Sequence, residues 1–200
     1  MRAMPTSGLA KRLALGLVAG LAVALVLGLP GTSARAEALP SGSLGIMFGG
    51  GAGTGRYARS LGIGYYQFGA QASWQPMRTE QRIGWSLKWE FVFGRMLEAE
   101  SARIDDVLRT LQMDFMAGLR VRPGSSSRRY LALRGGVELF RSNEVVMPDN
   151  QRAFVGPVAA LALEQYAFGA FMFNVDVRYG LIGRGPAEIA LLAGVSISVP

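Results

Sequence analysis

From Arg82 to Phe93 the chain alternates without a slip. Ile83, Trp85, Leu87, Trp89, Phe91 and Phe93 are apolar, whereas Arg82, Gly84, Ser86, Lys88, Glu90 and Val92 between them are mostly small or polar. A side-chain period of two belongs to an extended strand, so this segment has one apolar face and one that carries charge. In a water-soluble protein the apolar face would turn into a core. Where the pattern recurs in segment after segment of an exported chain, the inverted arrangement is the better reading: the apolar face meets lipid and the charged face lines a barrel.

The pattern recurs about eight times. A short Gly-rich strand places Leu44, Ile46 and Phe48 on one face. A second sets Tyr66, Phe68, Ala70, Ala72 and Trp74 against Gln67, Gln71 and Gln75, and the Arg82 to Phe93 segment is the third. The fourth opposes Leu111, Met113, Phe115 and Leu119 to Gln112, Asp114 and Arg120, and the fifth opposes Leu131, Leu133, Val137 and Leu139 to Arg134 and Glu138. In the sixth, Val155, Leu161 and Leu163 alternate with small residues and Glu164, but Pro157 cannot donate to a ladder and suggests a bulge or a late start. The seventh sets Phe171, Phe173, Val175, Val177 and Tyr179 against Asn174, Asp176 and Arg178; the last sets Ile189, Leu191, Val195 and Ile197 against Glu188, Ser196 and Ser198.

Export is read from the N-terminus. Arg2, Lys11 and Arg12 precede an uncharged apolar run from Leu13 to Leu29; Pro30 and Gly31 break it, and Ala34-Arg35-Ala36 is a small-x-small cleavage site. Residues 1–36 therefore read as a signal peptide and residues 37–200 as a single β-barrel domain; the competing reading is an uncleaved anchor, since the run reaches the short end of the spanning range of about 17 to 25 residues. The peptide carries four of the 21 basic residues and none of the 14 acidic ones, leaving 17 against 14 and a net +3 instead of the formal +7. Those bases are dispersed and often stand beside acids, which argues against nucleic acid as a partner. There is no Cys, so neither a disulfide nor a lipid anchor at the cleavage site is available.

The connections alternate in character. Gly49 to Arg59, Leu97 to Asp106 and Arg141 to Arg152 read as longer loops, whereas Pro76 to Glu80, Pro123 to Ser127 and Gln165 to Phe168 read as short turns. Long loops at one end and short turns at the other suit a transmembrane barrel, and several strands exceed the roughly 9 to 11 residues that cross a bilayer at a tilt. A soluble periplasmic barrel of lipocalin type, with the apolar parity inward around an apolar ligand, is the alternative, because parity alone does not say which face is inside.

With these strands in view, the chain resembles the small eight-stranded outer-membrane barrels of Gram-negative bacteria, of the outer-membrane protein A and X type. The resemblance spans residues 42–200 and rests on architecture. It implies an all-β, antiparallel up-and-down transmembrane β-barrel in the outer membrane, with lipid and the barrel assembly machinery as partners, a possible surface or envelope protein partner, and no cofactor. Such barrels usually end on an aromatic residue, whereas this chain ends Ile197-Ser198-Val199-Pro200.

Eight strands leave room inside for side chains and little else, so charges on the inward parity need partners. The expected interior network is Lys88, Glu90, Asp114, Arg134, Glu138, Glu164, Asp176, Arg178 and Glu188. Acids outnumber bases in it, so Arg82, Arg120 and Arg122 near the rim, interior water or protonated carboxylates would have to balance the sum. Enzymatic readings fare poorly: without His or Cys the chain lacks the general base of Ser-His and Asp-His chemistry. Ser86 and Lys88, two apart on one face, form the one remaining dyad candidate. Gly49 to Gly55 is followed by Arg56-Tyr57 where a phosphate-binding loop needs Lys and Ser or Thr, and Glu98, Glu100, Asp105 and Asp106 lack the spacing of a cation-binding loop. The expected role is thus non-enzymatic, structural or in surface interaction through outer loops, with a narrow gated channel as a further alternative.

Overall fold

The computed structural model describes residues 41–54, 65–76, 81–96, 109–124, 128–142, 153–167, 170–181 and 187–199. Residues 1–36, read above as a signal peptide, and the acidic segment from Glu98 to Asp106 lie outside these residues. Eight strands follow in chain order: β1 Gly42–Thr54, β2 Tyr65–Trp74, β3 Ile83–Met96, β4 Arg109–Val121, β5 Arg129–Ser142, β6 Ala153–Tyr166, β7 Phe171–Leu181 and β8 Ala187–Val199. Each pairs antiparallel with its chain neighbour, and β8 closes on β1 from Gly42 opposite Val199 to Thr54 opposite Ala187. Closure removes the unpaired edges that a sheet otherwise exposes. The strand ends at Trp74 and Ile83, at Val121 and Arg129, and at Tyr166 and Phe171 gather at one end, called here the turn end; those at Thr54 and Tyr65, at Met96 and Arg109, at Ser142 and Ala153, and at Leu181 and Ala187 gather at the opposite, loop end.

The parity that was ambiguous in sequence is settled by closure. Ile46 (68% exposed), Trp85 (67%), Leu133 (64%) and Leu161 (54%) face outward, while Lys88, Glu90, Asp114, Arg134 and Arg178 are all buried. The lipocalin-like alternative required the reverse. Cross-strand pairing continues on the outside, where Trp89 stacks on Phe115, its direct partner in β4, at 5.9 Å between ring centroids.

Two sequence expectations need correction. The glycines after Phe48 are strand residues up to Thr54, not a surface loop. Their lack of side chains is what lets β1 run on: a Cβ on Gly49 would collide with the Leu191 carbonyl of β8. Pro157 neither interrupts nor delays β6, where it sits opposite Val137. The β6–β7 ladder begins only at Val158, so the missing N–H of Pro157 falls just outside the paired stretch of that ladder.

Gly118 illustrates the same close approach inside the barrel. It pairs with Arg134, and a Cβ there would meet the Leu133 carbonyl and, at 2.7 Å, the Arg134 Cα. Gly118→Ala is expected to cost about 1–3 kcal/mol by overpacking. Gly135→Ala should be close to neutral, because a Cβ there meets only the Val158 carbonyl, at 3.9 Å. Urea midpoints of the two variants check the contrast; equal midpoints would contradict the close approach at Gly118.

Candidate functional site: a plugged, charged interior

The even-numbered residues of β3 to β8 and the odd-numbered residues of β1 and β2 point into the barrel, which brings all nine expected network residues into one lumen. Three acids fall in a single row: Glu90 of β3 lies opposite Asp114 of β4, and Asp114 opposite Glu138 of β5. Like charges facing one another across strands are destabilising. The compensating cation comes from the far wall. Arg178 of β7 reaches across with Nη1 to Asp114 (2.5 Å) and Glu90 (3.4 Å), and with Nη2 to Glu188 (2.7 Å). The same Nη2 donates to the side-chain oxygens of Gln112 (2.9 Å) and Gln67 (3.3 Å). Glu138 receives no ion pair among the described residues and accepts instead from Gln112 Nε2 at 3.1 Å. Gln112 also donates to Glu188 at 2.6 Å, so one amide links two strands' carboxylates.

Nearer the turn end, Lys88 pairs with Glu90 at 2.7 Å and with Asp176. Asn174 donates to Asp176 at 2.8 Å, and Gln71 donates to Asn174 (2.6 Å) and to Ser196 (2.9 Å). A second group centres on Glu164, which accepts from Arg120 Nε at 2.8 Å and from Arg134 Nη2. Arg134 Nε donates to Ser86 Oγ at 2.8 Å. Ser86 and Lys88 are therefore drawn to different partners, and the sequence-level dyad is not assembled.

Arg120 is fully buried, with its guanidinium carbon 3.6 Å from the Tyr130 ring centre and 5.2 Å from that of Tyr166. The cation over two rings, with Gln75 donating to the Tyr166 hydroxyl, fills the lumen at the turn end. Sequence reasoning left Arg120 at the rim, and the Gln and Asn links were not assigned to the network. Their parity was the available signal: Gln67, Gln71, Gln112 and Asn174 all lie on the polar face of their strands.

The interior is also polarised along its axis. Arg178 stands among Glu90, Asp114, Glu138 and Glu188 in the half toward the loops, whereas Arg120, Arg134 and Lys88 outnumber Glu164 and Asp176 in the half toward the turns. Such an arrangement ties β2 to β8 together across the lumen through long-range contacts that a hydrophobic core would otherwise provide.

The class of protein is thereby defined: a closed eight-stranded transmembrane β-barrel, apolar outside and charged within. Among solved structures, Neisserial surface protein A (NspA) shares the fold, with a TM-score of 0.55 and 11% identity over 79% of this chain and 97% of that one. Ail, the attachment invasion locus protein of Yersinia pestis, in complex with the heparin analogue sucrose octasulfate, aligns at a TM-score of 0.48 and 12% identity over 78% of this chain and 98% of its own. No family model matches the chain, and no curated protein matches it in sequence.

Proposed function

We propose that this is an outer-membrane barrel without catalytic activity, exported by the signal peptide of residues 1–36, which anchors loops at the membrane surface for a structural or interaction role. The observation that carries the reading is the inverted polarity: a continuous apolar exterior around a lumen closed by ion pairs and hydrogen bonds. The likeness to a barrel that bears the name surface protein supports it at the level of fold. In this reading the nine network residues are structural: they hold the wall rigid so that the loops are presented on a fixed frame. Arg120 over Tyr130 and Tyr166 occupies the lumen near the turn end, which disfavours a diffusion pore.

Membrane fractionation of cells expressing the precursor tests this reading. The barrel is expected in the outer-membrane fraction, resistant to carbonate extraction and faster in gels before boiling than after. Recovery as a soluble periplasmic protein would overturn it. In planar bilayers the purified barrel is expected to give no stepwise conductance; regular unitary steps would make it a channel.

A further inference from the structure

The charges inside the barrel do not balance. Among the described residues six acids and five bases are buried, Arg122 included. The bases are also unevenly placed: Arg120 and Arg134 both go to Glu164, while the ion pairs of Glu90, Asp114, Asp176 and Glu188 are made by Lys88 and Arg178. Glu138 is left over. It is only 1% exposed, and its one hydrogen-bond donor among the described residues is the neutral amide of Gln112.

Every strand around Glu138 can be asked for a compensating charge. Asp114 of β4 stands directly opposite, Glu90 of β3 is next in the same row, and Glu188 of β8 is joined to Glu138 through Gln112. Arg178 of β7 is the base of this half, and its Nη atoms are taken by Asp114, Glu90, Glu188 and two glutamines. On β5 itself, Arg134 is turned to Glu164 and Ser86. On the lumen face β2 carries glutamines, β6 only Glu164 in the turn half, and β1 no charge.

The carboxyl group of Glu138 lies against β7, where a Cβ on Gly180 would collide with its Oε2. The missing side chain of Gly180 is what makes this seat. Oε2 has no hydrogen-bond partner there, and neither has Oδ1 of Asp114. Two ionised carboxyl groups offer acceptors only, so they cannot satisfy each other; one proton supplies the donor that the pair lacks. An uncompensated carboxylate buried from water is far more costly than a neutral carboxyl.

We propose that Glu138 is a proton-binding site: its carboxyl is neutral at neutral pH, and its ionisation in alkaline solution makes it a fourth claimant on Arg178 and loosens the loop half of the lumen. A proton suits the seat better than a metal ion. No three acids among the described residues are grouped to hold a metal, whereas protonation needs a single oxygen.

Infrared spectroscopy of the folded barrel in deuterated buffer reads the charge state, because the C=O stretch of a neutral carboxyl stands apart from those of carboxylates and amides. At neutral pD the wild-type barrel is expected to show such a band, to shift it when glutamate carries carbon-13 in its side-chain carboxyl, and to lose it in alkaline buffer. Glu138→Gln should remove the band; faster migration of the unboiled variant confirms that it is folded. Urea unfolding supplies a second readout. The folded chain keeps a proton that the unfolded chain, with an ordinary carboxylate, releases above about pH 4, so wild-type stability falls with rising pH relative to Glu138→Gln. The ratio of the variant's folding constant to that of the wild type should rise about tenfold per pH unit, or about a hundredfold from about pH 5 to about pH 7. A folded wild-type barrel with no neutral-carboxyl band at neutral pD would overturn the proposal, and so would a band that persists unchanged in Glu138→Gln. A ratio that stays level with pH would do the same. A carboxylate spectrum that responds to calcium chloride in the wild type but not in Glu138→Gln would replace the proton with a metal ion.

Discussion

Replacing Arg178 with Leu is expected to destabilise the barrel by about 3–5 kcal/mol, the cost of removing one partner from a buried ion pair and leaving the other uncompensated. The effect belongs at the upper end of that range, because this one side chain faces Asp114, Glu90 and Glu188 and also donates to Gln112 and Gln67. Arg178→Lys should recover only part of the loss: an ammonium restores charge but not a planar fork whose two nitrogens serve different carboxylates. Combining Arg178→Leu with Asp114→Asn and Glu188→Gln should regain more, because it removes the stranded charges. Urea unfolding in liposomes, followed by the gel shift on heating, gives the comparison. If Arg178→Leu unfolds within 1 kcal/mol of wild type, the row of three acids is neutralised by something other than Arg178.

Leu161→Arg should cost about 2–4 kcal/mol, the penalty for a cation on the lipid face near the bilayer midplane. Leu161 lies in the middle of β6 and is 54% exposed, whereas Val155, toward the loop end of the same strand, is 62% exposed. Val155→Arg should therefore cost only about 0–1 kcal/mol, since the penalty fades toward the interface. The two sites have nearly the same exposure, so a barrel standing in water would treat them alike. A depth-independent result would show that the apolar exterior does not contact lipid.

Much of this arrangement was legible from parity. The residues of β3 sort into two faces by position alone, and the charges of β4, β5 and β7 sort in the same way. The limits of that legibility are equally specific. Gly49 to Thr54 reads as a loop because glycine carries no alternation to count, yet these residues are paired with β8 along their length. Pro157 reads as an interruption because its cost depends on whether a neighbour needs its N–H, and the pairing of β6 with β7 starts one residue later. Arg120 reads as a rim residue because nothing local in the chain announces two tyrosines, 10 and 46 positions away, above and beside its guanidinium.

What the sequence by itself determined is which residues share a face, because a strand alternates its side chains whatever surrounds it. It also determined that one face is too charged and the other too apolar for both to meet the same medium. Only the tertiary structure decided which face is inside, since closing the sheet either way preserves the alternation. The partners of each charge were decided there too: the register of β3, β4 and β5 lines up Glu90, Asp114 and Glu138, and only a closed wall brings Arg178 from β7 across the lumen to meet them.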